Sequence, residues 1–138
     1  MGTDCVFCAI VAGRVEASTV LDAPDLLAFL DTNPATTGHL LVVPKAHAAD
    51  LAGLDPTIGA SMFQTAQRLA GAVRRTFDCP GVNLFLADGE AAGQEVFHVH
   101  LHVLPRYDDD GFSVQARFGS PSRAELEATA AAVRRSLG

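Results

Sequence analysis

Positive charge is what this chain has least of. Lysines and arginines number 10 against 16 aspartates and glutamates in 138 residues, a formal net charge of −6. That balance argues against a general nucleic-acid binder, which needs a basic face. It also means that an anionic ligand must be held by local donors, because the overall field repels it. No apolar run approaches the ~20 residues of a membrane-crossing helix, and no leader pattern opens the chain. Met1-Gly2 resembles a myristoylation start, but Val6 stands where Ser or Thr is required. The cysteines number 3, an odd count that makes no secreted disulfide framework. Repeats, low-complexity tracts and linkers are absent as well. The expectation is a cytoplasmic protein without nucleic-acid or membrane partners. With 49% hydrophobic and 19% charged residues it reads as one domain, 1–138, long enough to bury most of its apolar surface.

What is present is concentrated in His98-Val99-His100-Leu101-His102-Val103-Leu104-Pro105-Arg106. Bulky branched residues between the histidines favour a strand, and a strand would put His98, His100 and His102 on one face, roughly 6–7 Å apart. Imidazoles on a buried face are costly unless each ring has a partner. The ladder therefore reads as a site, for metal binding or for acid–base and nucleophilic work. The alternative is a row of solvent-facing histidines on an ordinary edge strand, but three at strict period two, in a chain of 5 histidines, argue against it.

Asp4 can cap a short helix that ends at Gly13 and carries Cys5 and Cys8 on one face. Residues 18–22 and 26–31 read as strands around Ala23-Pro24-Asp25, and residues 39–44 as a central strand. Asp55-Pro56 opens a long amphipathic helix with Ile58, Met62, Ala66, Leu69, Val73 and Phe77 on its apolar stripe. Residues 82–87 and 96–104 read as antiparallel strands joined by the loop 88–94. Asp108-Asp109-Asp110-Gly111 reads as a solvated turn, since it lacks the spaced ligands of a calcium loop. Ser122 to Glu125 forms a capping-box pattern before a last helix, with Leu126, Ala130, Val133 and Leu137 on its buried stripe. The order predicts an α+β fold, an antiparallel sheet with helices on one side.

Cys5-x-x-Cys8 alone leaves three readings: a redox pair, a metal clip or two buried thiols. Cys79 reads as a packing residue near a helix end.

The histidine stretch, taken with Asp4–Ile10, Phe29–Pro34, Gly38–His47 and Ala92–Phe97, resembles blocks of the histidine triad family of nucleotidyl hydrolases and transferases, in order. The likeness spans residues 4–106 and leaves 107–138 as a C-terminal extension with a helix. It implies a five-stranded antiparallel sheet with a long helix, short terminal helices and a two-fold homodimer. It also implies one structural zinc per chain, as in bacterial members with the same cysteine pair, held by Cys5, Cys8, His47 and His98, and no organic cofactor. His100 matches the family nucleophile that attacks an α-phosphorus, and His102 the residue that holds phosphate oxygens or orients it. Asp31 matches the ribose-binding acid, Gln94 and Glu95 the phosphate loop, and Val6, Phe7, Ile10, Phe29 and Leu41 the walls around the base. His39 matches a family histidine to which no role is given. Two positions depart from the family: Ala87 where many members carry an amide, and Glu95 where some carry Ser or Thr.

The implied reaction is hydrolysis of purine nucleoside 5′-phosphoramidates or related conjugates, on an AMP or GMP moiety, through a nucleotidyl-histidine. Three alternatives stand beside it. One is dinucleoside polyphosphate hydrolysis. Another is a nucleotide-binding regulator with weak catalysis, for which Ala87 speaks. The third is a metallohydrolase that uses His98, His100 and His102 around an open zinc, which would leave Cys5, Cys8 and His47 without purpose.

Overall fold

The computed structural model describes residues 5–138, so Asp4 and its expected capping role lie outside the described residues. Helix α1, Val6–Val11, is capped by Cys5, whose Sγ accepts from the backbone N–H of Cys8 at 3.4 Å. Strands β1 (Thr19–Asp22), β2 (Leu26–Leu30) and β3 (Leu40–Pro44) follow. Helix α2 (Pro56–Phe77) starts at the Asp55 cap with Pro at its first turn, as its sequence pattern requires. Strand β4 (Gly81–Phe85), strand β5 (Leu101–Arg106) and helix α3 (Arg123–Leu137) complete the chain.

The strands form one antiparallel sheet in the order β1-β2-β3-β5-β4. Alternation along the strands divides their apolar side chains between two faces. Leu26, Ala28, Leu40, Val42 and Val103 pack under Met62, Ala66, Leu69 and Val73 of α2. Leu27, Phe29, Leu41 and Val43 face the other way and gather around Phe7 of α1. The helices therefore lie on both faces, contrary to the one-sided expectation. The continuous apolar runs of β2 and β3 are buried on both sides and carry no clue to which helix covers which face.

Two further expectations change. The histidine strand begins at Leu101 and not at 96: β3 runs on to Pro44 without pairing there, and the Val99 N–H donates to the Ala48 carbonyl at 2.8 Å instead. Strand β4 ends with Phe85 opposite His102, and β3 meets β5 only as far as Val42 opposite Leu101. Helix α3 has its capping box, Ser122 with Glu125, yet none of its residues is buried. Its expected core stripe is open to solvent, with Leu126, Val133 and Leu137 all exposed. Among the described residues no helix is long and apolar enough to cross a membrane.

Candidate active site and metal centre

Register builds the site. Phe29 on β2, Leu41 on β3, His102 on β5 and Phe85 on β4 are successive partners, a row straight across the α1 face of the sheet. Over this row lies a cavity of about 710 Å³, whose lining includes Val6, Phe7, Ile10, Phe29, Asp31, Leu41, Glu95, His100 and His102. Phe85, Gly93 and Phe112 also line it. Its charged lining residues, among those described, are Glu16, Asp31 and Glu95; no lysine or arginine is present.

The histidines divide into two environments. His98 is fully buried, and its Nε2 donates to the Pro44 carbonyl at 2.8 Å. Its other nitrogen, Nδ1, is thereby the unprotonated one and faces Cys5 Sγ at 3.3 Å, Cys8 Sγ at 3.5 Å and His47 Nδ1 at 3.1 Å. Cys8 Sγ lies 3.3 Å from His47 Nδ1. A tetrahedral zinc with ordinary bond lengths would set sulfur–nitrogen edges near about 3.6 Å and a nitrogen–nitrogen edge near about 3.3 Å. The donor set, all within 4.8 Å of one another, therefore fits zinc closely. Burial pushes the Cys8 thiol up and the His98 imidazole down in pKa, the former helped by Cys5. A divalent cation there would reverse the thiol's preference, because ligation requires the thiolate.

His100 is buried and does not share that cluster. Its Nδ1 donates to the His98 carbonyl at 2.7 Å, which leaves Nε2 with a free lone pair at the cavity. Phe7 stands edge-on to both rings, 5.8 Å from His98 and 5.1 Å from His100, and lines the cavity. His39 and Asp31 supply what the third histidine needs. The Ala35 N–H donates to His39 Nδ1 at 3.1 Å, so His39 Nε2 carries the proton and donates to His102 Nδ1 at 2.8 Å. His102 then holds its own proton on Nε2. Burial lowers its pKa to about 4, with the neighbouring His100 and His39 adding to the effect and Asp31 opposing it. Burial lowers that of His39 too, against the pull of Asp31, whose Oδ2 is 3.6 Å away. Asp31 Oδ1 meanwhile accepts from the Asn33 N–H at 2.8 Å, so this residue starts a turn and faces the cavity at once.

Gln94 differs from its expected place. It is buried, its Oε1 accepts from the Gly89 N–H at 2.8 Å, and its Nε2 donates to the carbonyls of Ala49 and Val96 at 2.8 and 3.1 Å. Its polar atoms are spent on holding the loop, while its neighbours Gly93 and Glu95 border the cavity. Asp110 is no solvated turn residue either. It accepts from Arg106 Nε at 2.7 Å and from the N–H groups of Tyr107 and Phe112, and these contacts hold its carboxyl well below the usual range. Phe85 and Phe112, which line the cavity, and His39, bonded to His102, are among the residues that sequence reasoning left without a role. His39 stood inside a block already singled out, whereas Phe85 needs the β4–β5 register and Phe112 the fold of its loop.

An uncharacterized HIT-like protein of Mycobacterium tuberculosis is 42% identical over 133 residues, covering 96% of this chain and 92% of its own. The Arabidopsis thaliana protein named adenylylsulfatase HINT3 is 36% identical over 107 residues, 78% of this chain and 54% of its own. The crystal structure of a zinc-bound histidine triad family protein from Mycobacterium smegmatis superposes with a TM-score of 0.78 at 39% identity, over 99% of each chain. The HIT domain pattern itself matches residues 12–109. With the sheet, the paired histidine environments and these likenesses together, the chain belongs to the HIT family.

Proposed function

We propose that the protein is a nucleotidyl hydrolase that cleaves the bond between the α-phosphorus and the leaving group of purine nucleoside 5′-phosphoramidates. The observation that carries the reading is His100, whose Nδ1–H is fixed on the His98 carbonyl so that the free Nε2 lone pair opens on the cavity. Neutral imidazole is a good nucleophile near neutral pH and a good leaving group from phosphorus. In the first step Nε2 forms a bond to phosphorus while the bond to the leaving nitrogen breaks; the amine leaves with the electron pair and takes up a proton. The positive charge that develops on the ring is stabilised by the His98 carbonyl. In the second step water forms the new P–O bond and gives up a proton, and the electron pair of the P–N bond returns to Nε2. His102 donates a hydrogen bond from Nε2 to a phosphoryl oxygen, Asp31 accepts from the ribose hydroxyls, and the apolar end at Phe7, Ile10, Phe29 and Leu41 takes the base. Zinc, held by Cys5, Cys8, His47 and His98, would fill a closed four-ligand shell that fixes the segment carrying His100 and leaves no open position for substrate.

Phosphoramidates are favoured over dinucleoside polyphosphates because no cationic side chain among the described residues lines the cavity, and a polyphosphate would add charge beside Glu95. The name of the Arabidopsis relative supports an adenylyl substrate and offers adenylyl sulfate as a second reading. Its dianionic leaving group meets the same lack of cations. Two in-line displacements retain configuration at phosphorus. Turnover of an adenosine phosphoramidate made chiral at phosphorus should therefore proceed with retention, and inversion would overturn the covalent route.

A further inference from the structure

The cations that the histidine cavity lacks are found on the opposite face of the sheet. There Arg68 and Arg75, both exposed residues of α2, line a second cavity of about 490 Å³ between that helix and the edge strand β1. Val20 and Leu21 supply the strand side of it, and Leu21 packs into the core beneath α2. Gln67 and Gly71 line it from the helix, and the lining contains no aspartate or glutamate. In a chain with 16 acidic residues against 10 basic ones, such a cavity runs against the overall charge.

Gly71 decides where the Arg75 guanidinium lies. A Cβ at position 71 would stand 3.3 Å from Arg75 Nη1, so the arginine lies back along the helix over a place that a larger residue would fill. Glycine inside a helix is destabilising relative to alanine, and this one makes room for a charge. Residues three and four apart are neighbours on a helix surface. Gly71 is such a neighbour of both Arg68 and Gln67, so the guanidinium above it is brought to the side of both. Like charges drawn together repel, and a carboxylate would ordinarily offset them. Among the described residues the ion pairs are Asp22–Lys45, Asp31–His39, Arg106–Asp110 and Arg123–Glu127, and Arg68 and Arg75 join none of them. Asp25, which lines an adjoining cavity with Arg68, is no exception.

We propose that Arg68, Arg75 and Gln67 form a binding site for a phosphoryl group, separate from the histidine cavity, with Gly71 as the cradle that lets Arg75 lie beside Arg68. Guanidinium groups meet phosphate oxygens with paired N–H donors, and the Gln67 amide adds a neutral donor. Val20, which is 51% exposed, and Leu21 lie on the strand side and meet the organic part of a phosphate ester. The ligand is therefore phosphate, free or as the monoester of a small apolar group. The site binds and does not react, since no histidine, cysteine or hydroxyl side chain lines it.

The test is a titration of the isotope-labelled full chain with phenyl phosphate at low ionic strength, read on the arginine Nε–H resonances by NMR. Those of Arg68 and Arg75 should shift together and saturate at about millimolar concentration or below. Binding in the histidine cavity would not give this result, because that cavity lies across the sheet. Arg68→Gln and Arg75→Gln should each weaken binding about tenfold, read on the arginine that remains. Gly71→Ala should weaken it about threefold and yet raise Tm, because alanine favours the helix while it displaces the guanidinium. A purely structural part for Gly71 would not split those two readouts. Tighter binding of phenyl phosphate than of inorganic phosphate assigns the site to esters, and equal affinities assign it to the free ion. The site is overturned by an absence of saturable shifts at Arg68 and Arg75, by affinity unchanged in Arg75→Gln or Gly71→Ala, or by equal affinity for the monoanion benzenesulfonate.

Discussion

Tautomers decide what the histidines can do, and each is set by one neighbour. His100→Ala should abolish turnover while nucleotide binding persists, since the base and ribose contacts belong to other residues; rapid-quench labelling of residues 98–102 by wild type alone is the check. His39→Ala removes the donor to His102 Nδ1 and lets the wrong tautomer form. It should lower kcat about 100-fold with little change in KM. His39→Gln can still accept from the Ala35 N–H and donate to His102, and should recover much of the loss, an outcome that a merely structural role would not give. Burial depresses the pKa values of His102, to about 4, and of His39 and His98. The unfolded chain therefore binds more protons than the native one between about pH 6.5 and 4. Stability is complete above that window and declines as pH falls through it; denaturant titration at stepped pH should show this, with a shallower decline in His102→Gln. Which histidines mattered was legible from their period-two spacing. Which nitrogen carried each proton was not, because the deciding partners, the carbonyls of His98 and Pro44 and the N–H of Ala35, are backbone atoms that no side-chain pattern encodes.

At the scale of elements, the Cys/His cluster joins three separate parts of the chain: Cys5 at the cap of α1, Cys8 within it, and His47 after β3 facing His98 before β5. Helix α1 has only 6 residues, too short to hold itself together in water. Its packing on the sheet through Phe7 and its tie to His98 have to do so. Cys8→Ser should lose zinc, measured by metal analysis near one per chain in wild type, and lower Tm by roughly 10 °C or more. Some turnover should remain at low temperature, because His100 supplies no ligand atom to the cluster and touches it only through the His98 backbone carbonyl; a chemistry that stops on zinc loss with the fold intact would instead make the metal catalytic. The strands and helices were largely readable from apolar period and caps, as Asp55-Pro56 and Ser122…Glu125 show. The limits of β5 were not, because they depend on register against β4, which ends at Phe85, and on the Val99 N–H bonding to the Ala48 carbonyl instead of to β3. The loop after β5 was misread for a related reason. Three aspartates in a row look solvated until Arg106, on a strand, turns out to face the last of them.

The whole molecule leaves apolar surface that its own fold does not use. Phe63 is 57% exposed on α2, and α3 presents Val133 and Leu137 at 60% and 83% exposure with no residue of the helix buried. A 15-residue helix is marginal in water without tertiary support, whatever its caps contribute. Scattered apolar residues are ordinary on a surface, but a complete amphipathic stripe with nothing over it is not. The family resemblance implied a two-fold dimer through the long helix and neighbouring strands, and a dimer of that kind would cover the exposed face of α2. Sedimentation equilibrium should therefore give twice the chain mass of 14.4 kDa at micromolar concentration. Phe63→Glu should shift the mass toward one chain if α2 lies at the contact. Val133→Asp should do so only if α3 docks on the partner, and it should then also reduce helicity in far-UV circular dichroism, because an undocked α3 frays. A wild-type mass of a single chain, with α3 helical in solution, would mean that the helix stands on its caps alone and that the exposed stripe serves some other contact.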